Sequence, residues 1–244
     1  MKTIPWEQYN AQRITRAFPA KYEEGRFSLT QLHDAARQGE VWFRGWPFLH
    51  YDTAREETAT FGKAITSVHY DARLGEQVPP FIEEWKLHRS GAILHRTVMR
   101  ECYDSRKSHG RILGVIETMF HVSEAIGSLW RLYAALGVPE DEVVTIEFSY
   151  TDTSQRTLWE TFESRHAILP PRGLTCHTES VDTTYREALA VWRGSDVDIA
   201  TEVSREIFQQ FQWDPPREWL REIITPFLGR SLRTPVTSGR AQNV

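Results

Sequence analysis

The sequence predicts an α+β fold: a mostly antiparallel sheet with helices packed mainly on one face. Three observations predict it. Short segments with extended, alternating patterns follow one another early in the chain, a long stretch of helical periodicity comes next, and two further helical patterns close the chain. Strands adjacent in sequence pair antiparallel most readily, and helices segregated from them cover one face of the sheet they form.

Taken in order, residues 6–18 show a weak helical pattern, and "FSLTQLHDAARQG" reads as a second helix with Ser28 as N-cap and Gly39 as its stop. Extended segments follow at residues 40–44 and at residues 64–71, where Ile65, Ser67 and His69 alternate. "FIEEWKLHRSGAILHRTVMR" reads as a half-buried hairpin. With a two-residue turn at Ser90-Gly91, Leu87 opposes Leu94, Trp85 opposes Arg96 and Lys86 opposes His95. Phe81, Trp85, Leu87, Leu94 and Val98 then share the apolar face, while Glu84, Lys86 and His95 share the polar one.

"RILGVIETMFHVSEAIGSLWRLYAALG" is the longest helix. Ile112, Ile116, Met119, Ser123, Ile126, Trp130 and Tyr133 recur at three- and four-residue steps, and Gly137 ends it. "EVVTIEFSYTD" alternates as a strand, and residues 174–185 form a weaker one rich in threonine. Residues 196–211 carry Ala200, Val203, Ile207 and Phe211 on one helical face; "WDPP" then breaks the chain before a last helix with Trp219, Ile223 and Phe227. Residues 1–228 read as a single domain and residues 229–244 as a flexible tail.

Composition narrows the function. The chain has 29 basic and 33 acidic residues, so 29 − 33 = −4, and no overall positive field favours nucleic acid or anionic lipid. No apolar run approaches the roughly 18 residues of a membrane span, so no membrane partner is expected. "MKTIPWEQYNAQR" lacks the apolar core of a signal peptide, and the only cysteines are Cys102 and Cys176. Both point to a reduced, cytoplasmic compartment. Nine tryptophans admit a homodimer without requiring one.

Metal-ligand patterns are thin. Cys176-His177 has no second pair at zinc-finger spacing, and Glu117, His121 and Glu124 read as a solvent-facing polar stripe on the long helix, so no metal site is expected. "RECYDSRKSHGR" reads as a solvated basic loop before that helix, with phosphate binding as its alternative. G-x-S-x-G, P-loop and G-x-G-x-x-G motifs are absent. One catalytic alternative stands. Asp71 at the end of one strand, with Glu84 and Lys86 on the next, follows the PD-(D/E)xK nuclease arrangement, in which two carboxylates hold Mg and a lysine assists attack on phosphate.

The aromatic run "VWFRGWPFLHY" gives the other candidate surface. In extended chain Trp42, Arg44, Trp46 and Phe48 fall on one side until Pro47 turns the chain, and an arginine among aromatics favours a cation-π stack. Such a stack serves as a rigid sheet corner or as a wall for a ligand or partner.

"WFRGWPFLHY", "EEWKLHRSGAILHRTVMRE", "VSEAIGSLWRLYAALG" and "EIFQQFQWDPPREWLREI" together resemble, in order, a region of uncharacterised bacterial proteins that follows a Schlafen-like AlbA_2 domain assigned to nucleic-acid binding. The resemblance spans roughly residues 28–228. The AlbA_2 part is not among these 244 residues, and Lys86 stands where that pattern tends to carry arginine. The resemblance implies an accessory or sensing region in a defence or regulatory system. The expectation is therefore a non-catalytic interaction or sensor module without a cofactor, binding a partner protein or a small ligand through Trp42, Arg44, Trp46, Phe48, His50 and His95. Nucleic acid is not expected as its direct partner. The metal-dependent nuclease built on Asp71, Glu84 and Lys86 is the alternative.

Overall fold

The computed structural model describes residues 4–44, 47–59, 62–71, 81–102, 111–159 and 173–229. Its elements are β1 (Gln12–Pro19), α1 (Leu29–Gly39), β2 (Arg55–Ala59), β3 (Gly62–Asp71), β4 (Phe81–His88), β5 (Ile93–Val98), β6 (Ile112–Gly114), α2 (Val115–Ala135), β7 (Val143–Thr151), β8 (Thr157–Trp159), β9 (Ser180–Ala188), α3 (Leu189–Gly194), α4 (Asp196–Gln209) and α5 (Arg217–Leu228). Short 3₁₀ turns stand at Trp6–Gln8, Tyr51–Thr53 and Arg100–Cys102. The fold is α+β. Seven strands form one sheet in the order β2-β3-β4-β5-β1-β7-β9, every neighbouring pair is antiparallel, and β6 and β8 make a small parallel pair beside it.

The first strand overturns a sequence expectation. Residues 12–19 form a central strand between β5 and β7 rather than part of an opening helix. Their inward positions are Arg13, Thr15 and Ala17, all buried, while Arg16 and Phe18 face out. With polar or small side chains on the buried side, the period-two signal of hydrophobicity is missing from the sequence.

Helix α1 starts as expected. Ser28 caps it: its hydroxyl accepts from the Gln31 amide, and the Gln31 side chain accepts from the Ser28 amide. Gly39 does more than stop the helix. A Cβ there would meet Leu132 Cβ at 2.9 Å, so glycine lets α1 lie directly on α2, where Ser128 Oγ donates to the Gly39 carbonyl at 2.7 Å.

The hairpin is the second correction. Gly91 N–H donates to the His88 carbonyl and His88 N–H to the Ala92 carbonyl, so the loop is Arg89-Ser90-Gly91. Gly91, at φ +88°, takes the left-handed position that a three-residue loop needs. One extra loop residue shifts the register by one, so that Leu87 pairs with Ile93, Trp85 with His95 and Glu83 with Thr97. A one-residue shift swaps the faces of a strand. His95 therefore points inward beside Trp85 and Glu83, while Leu94 and Arg96 lie on the outer face with Glu84 and Lys86.

Helix α2 is buried along most of its length and forms the centre of the molecule, with α1 and α4 beside it. It follows directly on β6, and Gly137, at φ +72°, reverses the chain after it. Helix α5 closes this layer, with Phe227 stacked on Phe120 at 3.9 Å between ring centroids and tilted against Phe43 at 5.1 Å. The strand expected at residues 174–185 runs from Ser180 to Ala188 instead. On the outer face of the sheet, Ile4, Ile82 and Val98 make a separate small cluster with Trp6, Tyr9, Val68 and Tyr70. Of the segment expected to be a tail, residues 230–244 lie outside the described residues.

Candidate functional site

A bridge between Val41 and Phe48 closes the aromatic corner into a loop. Phe43, Phe48 and Leu49 are buried beneath it, whereas Trp42 stands out at 47% exposure with its indole N–H donating to Glu40 at 2.7 Å. The one-sided arrangement expected of Trp42, Arg44 and Phe48 is thus not formed, because the loop bends at residues 43–44 instead of staying extended. Trp46 lies outside the described residues.

Two charged side chains tie the loop down. Arg44 makes a two-pronged ion pair with Glu124 of α2, its Nε donating at 2.8 Å; Glu124 is wholly buried and Arg44 is 24% exposed. Burial pushes the Glu124 carboxyl up from its ordinary range, and Arg44 pulls against that. His50 Nδ1 donates to Glu83 Oε2 at 2.6 Å, and the His50 carbonyl accepts from Ser67 Oγ at 2.5 Å and from Trp85 Nε1 at 3.3 Å. Between these anchors Leu49 holds φ +60°, a left-handed conformation that costs a leucine about 1–2 kcal/mol and persists only where its surroundings impose it.

Glu83 is the hub. Its second oxygen accepts from His95 Nε2 at 3.1 Å, so one buried carboxylate bridges two imidazoles, one from the corner and one from β5. Burial alone would raise the Glu83 carboxyl, but the hydrogen bonds and charges of His50 and His95 outweigh it and hold it at about 2. Burial lowers the His50 imidazole, yet Glu83 more than reverses this and leaves it above its ordinary value. His95 Nδ1 is buried without a hydrogen-bond partner.

The network continues inward. His95 stacks on His121 at 6.0 Å and lies 4.6 Å from the Phe48 ring. His121 sits between Thr15 Oγ1 at 3.4 Å and the Tyr150 hydroxyl at 3.2 Å. Its burial, together with the positive charges of Arg13 and Arg44 and the neighbouring His95, depresses it well below the usual histidine value. Arg13 pairs with Glu101 in the same interior. His121 and Glu124 are therefore core residues and not a solvent-facing stripe, because the helix that carries them is central.

The residues of the nuclease reading are placed differently. Asp71 stands in register with Phe81 and Glu84 with Val68, three pairs apart and thus about 10 Å along the ladder. Lys86 pairs with Thr66. Glu84 accepts from Trp6 Nε1 at 2.9 Å; Trp6 and Arg96, which lies 4.1 Å over the Trp6 ring, line an open groove of about 540 Å3. The strand register does not bring Asp71 to Glu84. Cys102 and Cys176 are free thiols, and most of the basic run, residues 103–110, lies outside the described residues. Among the described residues no group of three or more His, Cys, Asp or Glu side chains converges as metal ligands would.

Sequence reasoning missed Glu83, the interior role of His121 and Glu124, and the Arg13–Glu101 pair. One signal was present: in the row Phe81, Glu83, Trp85, Leu87, a single acid sits among large apolar residues. Chemically, one buried carboxylate accepts from two imidazoles, and the one from the corner fastens the loop to the sheet. Comparison with protein-family models, with curated proteins and with solved structures finds no match.

Proposed function

We propose that this chain is an interaction module without catalysis of its own, meeting a partner protein through Trp42 and the corner that carries it, in the defence or regulatory setting implied by its resemblance. The observation that supports this reading is the contrast across the corner. Trp42 is held out while the loop beneath it is nailed to α2 through Arg44–Glu124 and to the sheet through His50–Glu83. Tryptophan is the side chain most enriched at binding hot spots, and a loop already fixed in place loses little entropy on binding. The interior histidines and carboxylates are engaged with one another, which suits fastening better than turnover.

The test is affinity purification from the native host with tagged wild type, Trp42→Ala and, as an exposed aromatic control far along the chain, Tyr22→Ala. A partner captured by wild type and Tyr22→Ala should then be purified, and its affinity should drop about tenfold or more with Trp42→Ala. Equal affinity for all three proteins would refute the corner as the contact surface. Loss of the partner with Tyr22→Ala alone would move the surface elsewhere.

A further inference from the structure

The corner has two fastenings of different kinds. Arg44–Glu124 joins a permanently charged guanidinium to a buried acid, whereas His50–Glu83 depends on an imidazole that gains or loses its proton near neutrality. The second fastening is also the one next to the strained Leu49, where the backbone has most to gain by relaxing.

We propose that His50 and Glu83 form a proton-operated latch on the corner: a protonated His50 holds the segment around Leu49 in its strained, closed conformation, and loss of that proton loosens it.

Burial works against a charge on His50, and the acids that face it outweigh that. Glu83 of β4 is its direct partner, and His95 of β5 holds the other oxygen of Glu83 so that the carboxylate cannot turn away. Glu40 at the end of α1 and Asp52 in the following 3₁₀ turn add negative charge. His69 of β3 stacks on His50 at 5.1 Å, and Phe81 packs against both rings at 5.1 and 4.9 Å. On α2, His121 and Glu124 are each engaged with other partners. His50 is only 15% exposed at its side chain, so its charge is not screened as a surface charge would be.

The direction follows from the raised His50 value. The pair contributes its full stabilisation below the ordinary histidine value of 6.5, and that contribution is lost as pH rises through the higher folded value. Glu83 stays ionised throughout, since it takes up a proton only near pH 2. The latch is therefore shut on the acid side and loosened on the alkaline side. The inference extends the proposed function by giving its contact surface a regulator, but it is read with no partner present, so the two fail separately.

The experiment is amide hydrogen exchange of residues 41–44 and 48–50 in the full chain between pH 6 and pH 9, expressed as protection factors, beside an NMR titration of the His50 ring. Protection in wild type should fall by about tenfold for each unit by which the folded His50 value exceeds the unfolded one, beginning near the unfolded value and levelling off above the midpoint of the ring titration. His50→Gln keeps a donor to Glu83 without a titrating proton and should give protection that does not change over this range. Protection that is flat in wild type, an unchanged slope in His50→Gln, or a fall in protection that continues well above the midpoint of the His50 ring would each overturn the latch. If His50→Gln fails to fold, whether wild-type protection levels off at the midpoint of the ring titration decides. Trp42→Ala, which frees Glu40 of its hydrogen bond, should still show a fall in protection with rising pH even where it abolishes partner binding.

Discussion

Trp85 faces His95 across the β4–β5 hairpin, and this pairing carries His95 into the interior beside Glu83. The pairing depends on the three-residue loop, and the loop depends on Gly91 at φ +88°. A Cβ at Gly91 would also meet Phe27 Cε2 at 3.0 Å and Pro19 Cγ at 3.2 Å. Gly91→Ala should therefore cost about 1–2 kcal/mol from backbone conformation, with crowding adding to it. Urea unfolding measures this, and an unchanged midpoint would mean that the loop does not hold the left-handed conformation.

Arg44 and Glu124 should behave as a buried pair. Arg44→Met leaves the wholly buried Glu124 carboxylate without its cation, an outcome that costs about 3 kcal/mol or more in buried pairs. Adding Glu124→Leu removes the stranded charge and should recover most of that loss. A double-mutant cycle on unfolding free energies reads the coupling directly.

Acid should destabilise the protein in two stages. His121 is buried and resists protonation, while the unfolded chain takes up a proton near 6.5, so stability falls as pH drops below that value. Glu83 adds a second loss as pH falls from its ordinary 4.5 toward about 2, where the folded carboxylate is finally protonated. Urea midpoints across this range should show a shallower first stage in His121→Gln and a shallower second stage in Glu83→Gln. A wild-type midpoint that stays level between pH 6.5 and 5 would contradict the burial of a neutral His121.

The thiols should be quiet. Burial, with a smaller contribution from Glu101, pushes Cys102 from 9.0 up to about 12, and 12 − 9 = 3 units means roughly a thousandfold less thiolate than an ordinary cysteine presents. Cys176 is fully buried. Iodoacetamide at neutral pH should label neither in the native protein and both after unfolding in urea, as mass spectrometry of the alkylated chain will show.

The parts of the fold legible in sequence are those whose buried faces are apolar. The N-cap at Ser28, the stripe of α2 from Ile116 onward, the alternation of Val144, Ile146, Phe148 and Tyr150, and the break at "WDPP" stand in the structure as read, while Ile112, read as the start of that helix, lies in β6. The illegible parts have polar residues facing inward. Strand β1 buries Arg13 and Thr15, β4 buries Glu83, and α2 buries His121 and Glu124. Each of these is tolerable only because a partner from a distant element meets it, and distant partners leave no mark on local periodicity.

By itself, then, the sequence determined the α+β class and the long central helix, since those rest on local pattern and on residue types. Tertiary structure decided which polar groups meet. A single extra residue in the Arg89-Ser90-Gly91 loop turned His95 from the outer face to the inner one, and the packing of α2 on the sheet brought His121 to Tyr150 and Glu124 to Arg44. Strand periodicity has only two phases, so hydrophobic pattern records which face is buried but not how a loop sets the phase, and that phase placed His95 on the oxygen of Glu83 that His50 leaves open.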